Sequence, residues 1–261
     1  MNDPYLDRFS GIGRLYGLTA LEKFRSSHVG IVGIGGVGCW AAECLARSGV
    51  GSLTLIDADD LCVTNTNRQI HALDGTYGKP KVGVMADRLR SIQPEIKITE
   101  RQEFLSNKNV DDFLNTGFDY VIDAIDAVRA KCVLLATCRE RGVPIIACGG
   151  AGGRRDVTRI SITDLARTRD DALLMTVRKR LRDEHRFPKA RPGEKVKKFG
   201  IEAVFSQELP LYPTCDGGVS HDRPDDMPAG LRCDAGYGTA THVTAVFGML
   251  AAGRVLEKLA T

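Results

Sequence analysis

Short apolar runs rich in β-branched residues recur along the chain at 29–33, 52–57, 96–99, 119–125, 144–148 and 159–163. Between most of them the apolar positions follow helical spacing, at 39–48, 81–92 and 127–141. Strand and helix alternating at these lengths predict an α/β protein with a mainly parallel sheet and helices on both faces. Past residue 165 the alternation degrades. Residues 166–233 mix basic residues with prolines and glycines and read as a long, partly mobile insertion. Apolar spacing returns over 239–258 and predicts a closing helix. The expected organisation is one domain over 1–261, with a core at 1–165, the insertion at 166–233 and a terminal helical segment at 234–261.

Composition adds one feature to this picture. The chain has 261 residues, 43% of them hydrophobic and 26% charged, with a formal charge of +3, as in an ordinary soluble globular protein. The charge is unevenly spread. Residues 178–198 carry ten Lys/Arg against three Asp/Glu, so this segment holds +7 and the remainder −4. Arg178, Lys179, Arg180, Arg182, Lys195, Lys197 and Lys198 are therefore candidates for phosphate contact with a nucleic acid. The ordinary alternative is a solvated charged face.

The eight cysteines include no C-x-x-C pair. Neither a disulfide framework nor a zinc site is expected, and reduced cytoplasmic thiols fit best. The amino-terminal residues show no basic and apolar leader pattern. Residues 235–253 run without Asp, Glu, Lys or Arg. Their four glycines, three threonines and one histidine argue for a buried helix rather than a membrane span.

The chemistry starts at IVGIGGVGCW, residues 31–40. Gly33, Gly35 and Gly38 fit G-x-G-x-x-G, with Gly36 as a fourth glycine, directly after an apolar strand. Such a turn brings backbone N–H groups up to a phosphate at a helix start. Asp57 closes the next strand, where a carboxylate binds ribose hydroxyls. A Rossmann-like nucleotide site follows, for a nicotinamide dinucleotide or for ATP. The next residues favour ATP. Asp59, then TNTNRQ with Asn65, Asn67 and Arg68, then GKPK with Lys79 and Lys81, add cations that a dinucleotide pyrophosphate does not need. A departing pyrophosphate does need them. VIDAIDA places Asp123 and Asp126 at another strand end, where one carboxylate suits magnesium and the other a helix cap.

GIGGVG, LIDADD, TNTNRQ, GKPK and IDA, in this order over residues 8–165, resemble the ubiquitin-activating-enzyme-like, ThiF-type adenylyltransferases. The resemblance implies that Asp57 binds ribose, that Asn65, Arg68 and Lys81 meet the phosphates, and that Asp126 serves Mg2+. It also implies a homodimer in which an arginine of one subunit reaches the other's ATP, and Arg14 fits that role. The family's Asn after the metal aspartate is Ala127 here.

Further stretches, RLYG, CVTNTNRQIHAL, VIDAID, GGAGG at 149–153, TDLA, VFS and the closing G-x-G-x-A-T-x-V-T-A-x-F-G, resemble the branch of tRNA threonylcarbamoyladenosine dehydratases. The resemblance implies ATP-driven adenylation of the nucleoside's threonyl carboxylate, then ring closure with loss of AMP. It admits a monovalent cation and a cysteine desulfurase or sulfur-acceptor partner. Because an internal nucleophile closes the ring, Cys233 reads as a packed cysteine, as do Cys39 and Cys44. Competing expectations are activation of a small sulfur-carrier protein's carboxyl terminus, a nicotinamide oxidoreductase, and an ATP-binding scaffold without turnover. Arg154, Arg155 and Arg159 stand after GGAGG with their direction open.

Overall fold

The computed structural model describes residues 3–189, 196–222 and 238–261. The elements run α1 (Pro4–Tyr16), α2 (Leu18–Ser26), β1 (His28–Val32), α3 (Gly38–Arg47), β2 (Ser52–Ile56), α4 (Lys81–Ile92), β3 (Lys97–Arg101), α5 (Val110–Leu114), β4 (Tyr120–Asp123), α6 (Val128–Arg141), β5 (Ile145–Cys148), β6 (Ile160–Asp164), α7 (Ala172–Glu184), β7 (Glu202–Ser206), β8 (Tyr212–Pro213), β9 (Val219–Ser220) and α8 (Thr241–Ala260). A seven-stranded sheet in the order β3-β2-β1-β4-β5-β7-β6 forms the centre. Its ladders are parallel except that β6 runs antiparallel to β7. The strand order reverses at β1, between β2 and β4, as the glycine turn after β1 requires.

Alternation along the strands splits the core in two. Ile31, Ile122, Ile146 and Val204 face one side, with Phe24, Leu45, Phe247 and Val255 from α2, α3 and α8. Val32, Val121, Ala147 and Phe205 face the other, with Phe113, Leu134 and Leu174 from α5, α6 and α7. The uncharged run in α8 is spent inside this fold. Val243, Phe247, Ala251 and Val255 are buried, and a Cβ on Gly248 would lie 2.4 Å from the Val37 carbonyl, so glycine lets α8 press on α3. Among the described residues no helix is long and apolar enough to cross a membrane.

The central sheet does not end at residue 165. β7, from the segment expected to be an insertion, lies between β5 and β6, and α7 packs into the second core. The strand EAVFS is too short, and its partners too distant in sequence, for local pattern to reveal it. The closing helix begins at Thr241 rather than 239, and α1 and α2 precede the first expected strand.

Candidate functional site

A cleft of about 530 Å³ opens beyond the carboxyl ends of the strands. Gly33, Gly35, Gly36, Asp57, Asp59, Asn65, Arg68, Lys81 and Asp126 all line it. Residues spread over nearly a hundred positions thus meet because β1, β2 and β4 are neighbours in one parallel sheet.

The glycine turn owes its shape to two close approaches. Gly33 has φ +89°, and a Cβ there would sit 2.8 Å from the Ala124 carbonyl. Gly38 does not line the cleft. A Cβ on it would lie 1.8 Å from the Gly33 carbonyl, so it lets the start of α3 fold tightly onto the turn. Gly35 faces open space at its Cβ position, leaving backbone accessible to a ligand.

Asp57 accepts from the Ile34 N–H at 2.7 Å and from the Asp59 N–H at 2.9 Å. Burial raises its carboxyl above the ordinary range, and Lys81 opposes the rise. Lys81 is only 7% exposed, yet its Nζ meets Asp59 at 2.8 Å, and Asp59 is more than half exposed. The ammonium is thus held at the cleft by a partner that water can readily satisfy instead. Asn65 Oδ1 accepts from the Cys62 N–H at 3.0 Å, and Arg68 Nη1 donates to the Thr64 carbonyl at 2.8 Å. These bonds fix the short 3-10 turn Val63–Asn65 and aim its side chains. Asn67 is directed elsewhere. Its Nδ2 donates to the Thr239 carbonyl at 2.8 Å, tying the segment before α8 to the site.

The two aspartates at the end of β4 separate cleanly. Asp123 and Lys131 are both fully buried and pair at 2.7 Å. Burial raises the Asp123 carboxyl, and the Lys131 ammonium works against that rise. Asp123 also accepts from the Ile125 N–H at 3.1 Å, which shapes the turn carrying Asp126. Asp126, by contrast, is exposed and lines the cleft.

The remaining candidates lie apart. Arg14 is exposed on α1 and does not line the cleft. α7 meets the cleft at Leu173, so Arg178 to Arg182 lie roughly 7–14 Å down the helix from it. Arg178 donates to Thr168 Oγ1 at 2.5 Å, and burial lowers its guanidinium's pKa. Arg180 pairs with Glu184 at 2.8 Å, and Arg182 stacks over Phe199 at 5.1 Å. Lys179, Lys197 and Lys198 are exposed. Lys195 and Cys233 lie outside the described residues. Cys39 is fully buried, and burial pushes its thiol up to about 12, as a packed cysteine requires. Cys44 is half-buried on the same helix, its thiol likewise raised by burial.

The structure adds wall residues that were not assigned to the site from sequence. Phe104 and Leu105 after β3, Gly149 to Gly152 after β5, and Thr239 and Thr244 before and within α8 also line the cleft. Of these, the GGAGG stretch and Thr244, within the closing G-x-G-x-A-T-x-V-T-A-x-F-G, carried a sequence signal.

A family model described as ThiF matches residues 10–261, and the chain belongs to the ThiF family. Within that family it is similar to the tRNA threonylcarbamoyladenosine dehydratase of Escherichia coli K12, at 46% identity over 99% of this chain and 96% of the relative. The enzyme of the same name from Haemophilus influenzae is also 46% identical, over 98% of this chain and 95% of the relative. Among solved structures, the E. coli enzyme in complex with ATP matches with a TM-score of 0.86 and 44% identity, covering 99% of this chain and 96% of that one.

Proposed function

We propose that this chain uses ATP to dehydrate threonylcarbamoyladenosine in tRNA. The observation that carries the reading is the single cleft in which the glycine turn, Asp57, Arg68, Lys81 and Asp126 converge. The full-length similarity to dehydratases supplies the substrate.

Asp57 takes the ribose hydroxyls, and the turn at 33–38 takes phosphate oxygens through backbone N–H groups. A carboxylate oxygen of the threonyl group attacks the α-phosphorus, and the bond to the β-phosphate breaks. Lys81 and Arg68 stabilise the charge that develops on departing pyrophosphate, in a site where Lys81 and Arg68 are nearly buried. Lys81 leaves Asp59 for the phosphate, at the cost only of an exposed carboxylate returning to water. A nitrogen of the same side chain then attacks the acyl carbon, gives up its proton, and AMP leaves as the ring closes. Proximity makes an enzyme nucleophile unnecessary. The residues fit a magnesium ion. Asp126 is an exposed carboxylate beside the phosphate turn, and Mg2+ is commonly held by one or two carboxylates plus substrate phosphates, where it neutralises phosphate charge.

The rest of the assignment belongs to the same proposal. The chain works as one unit over 1–261 in the cytoplasm, as a homodimer in which Arg14 serves the neighbouring subunit's ATP. Lys179, Lys197 and Lys198 contact tRNA phosphates, and a cysteine desulfurase or sulfur acceptor is a further partner.

The test is AMP release from ATP with and without tRNA carrying the modified adenosine, followed by mass analysis of the nucleosides. The expected result is AMP that requires this tRNA and a nucleoside lighter by one water. AMP without a change in the tRNA would redirect the search to a protein carboxyl terminus. Binding of ATP without turnover would favour a scaffold.

A further inference from the structure

The cleft has a second glycine-rich wall, Gly149 to Gly152 after β5, apart from the residues assigned to the nucleotide. The carboxyl ends of β2, β1, β4 and β5 are neighbours in that order. Asp57 stands at the first and the phosphate turn at the second. With strands about 4.8 Å apart, the β5 end lies roughly 10 Å past the phosphate turn, on the side away from the ribose. Attack on an α-phosphate comes in line, from the side opposite the departing pyrophosphate. Lys81, assigned to that pyrophosphate, pairs with Asp59 just after β2, on the far side of the turn from β5.

The wall's backbone is fixed from behind. Asp171 Oδ2 accepts from the Gly150 N–H at 2.9 Å. Arg154, 6% exposed and absent from the cleft lining, donates through Nη1 to the Gly150 carbonyl and, at 3.2 Å, to the Gly152 carbonyl. Its Nη2 donates to the Asp170 carbonyl at 3.0 Å. In a trans peptide the C=O and the following N–H point in opposite directions. Drawing the Gly150 carbonyl toward Arg154 therefore turns the Ala151 N–H toward the cleft. Among the described residues, neither the Ala151 nor the Gly152 N–H has a hydrogen-bond acceptor, and backbone donors in such places normally have one.

We propose that this wall is the subsite for the carboxylate of the reacting nucleoside, with the Ala151 N–H donating to it. Arg154 and Asp171 are positioning residues that hold that donor. A neutral amide orients the carboxylate without the full counter-charge of a guanidinium, so its oxygen keeps its nucleophilicity. The proposal rests on the adenylation reading and adds the place of the second reactant.

The experiment compares the full-length protein with its Arg154→Met and Arg154→Lys variants. It measures ATP affinity by calorimetry, the KM for modified tRNA by AMP release, and binding of the free nucleoside and its neutral carboxamide analogue. Arg154→Met should leave ATP affinity within about twofold while raising the KM for tRNA about tenfold or more, the scale of a lost hydrogen bond to a charged group. Arg154→Lys should recover part of the loss. The carboxamide should bind the wild type and Arg154→Met alike. An unchanged KM, equal losses of ATP and tRNA binding, or equal losses of nucleoside and carboxamide would overturn the proposal. If Arg154→Met does not fold, Arg154→Lys and Asp171→Asn carry the same comparison. A wild type that releases no AMP with this tRNA would defeat the adenylation reading instead.

Discussion

Two lysines flank this cleft, each 2.7–2.8 Å from an aspartate, and they do opposite work. Lys131 and Asp123 are both shut away from water, each the other's only ion-pair partner among the described residues. Lys81 is nearly as buried, but its Asp59 is mostly in solvent. A ligand phosphate can replace Asp59 at little cost, because the carboxylate returns to water. Nothing can replace Asp123. The same pair of residue types gives a fixed strut in one place and an exchangeable contact in the other, and the partner's exposure decides which.

The sharpest way to break this contrast is Lys131→Met. It strands Asp123 as an unpaired buried charge, and stability should fall by about 3–5 kcal/mol in denaturant unfolding. Adding Asp123→Asn removes the charge while leaving an acceptor for the Ile125 N–H, and should restore most of the loss. Failure of that rescue would mean that the pair is not the source of the effect. Lys81→Met should instead leave unfolding almost unmoved and cut AMP release by about 10²–10³-fold. Equal effects on stability and turnover would erase the distinction between the two lysines.

His71 tests the surroundings of Lys81. It is fully buried, its ring nitrogens have no hydrogen-bond partner among the described residues, and burial, aided by Lys81 and Arg88, pushes its pKa down to about 4. Between pH 6.5 and 4 the unfolded chain takes up a proton that the folded chain refuses. Stability should therefore drop as pH falls through this window, by up to about 3 kcal/mol. A His71→Phe variant should lack that part of the pH dependence. The smallest effect belongs to Asp59→Asn. A pair with one exposed partner contributes about 0–1 kcal/mol, so the melting temperature should scarcely shift. A large loss would place Lys81 in the same class as Lys131.

The sequence carried much of this site because its parts sit in short local runs. The glycine turn, Asp57 at a strand end, Arg68 and Lys81 each occupy positions whose neighbours declare them. The expectation that one of Asp123 and Asp126 serves the ligand and the other the fold could not be sharpened from spacing. The choice depends on which side chain meets Lys131, one helix away. Arg154 was equally ambiguous beside GGAGG, since its inward turn depends on Asp170 and the loop carbonyls. The placement of β7 was invisible for another reason. Its pairing with β5 joins residues more than fifty positions apart, and no local period encodes such a partner. The basic segment was legible as charge. Its division into Arg178, Arg180 and Arg182, held by intramolecular contacts, and the exposed lysines was not.

The late position of β7 has a consequence for how the chain comes into being. Chains emerge amino end first and fold as units become available. Until residue 206 is present, β5 has an open edge where β7 will lie, and an unpaired edge invites association with other chains. The cleft waits longer still, because Thr239 and Thr244 belong to its wall. A growing chain would present the phosphate turn long before it could enclose a nucleotide, and the last described helix is the piece that closes it.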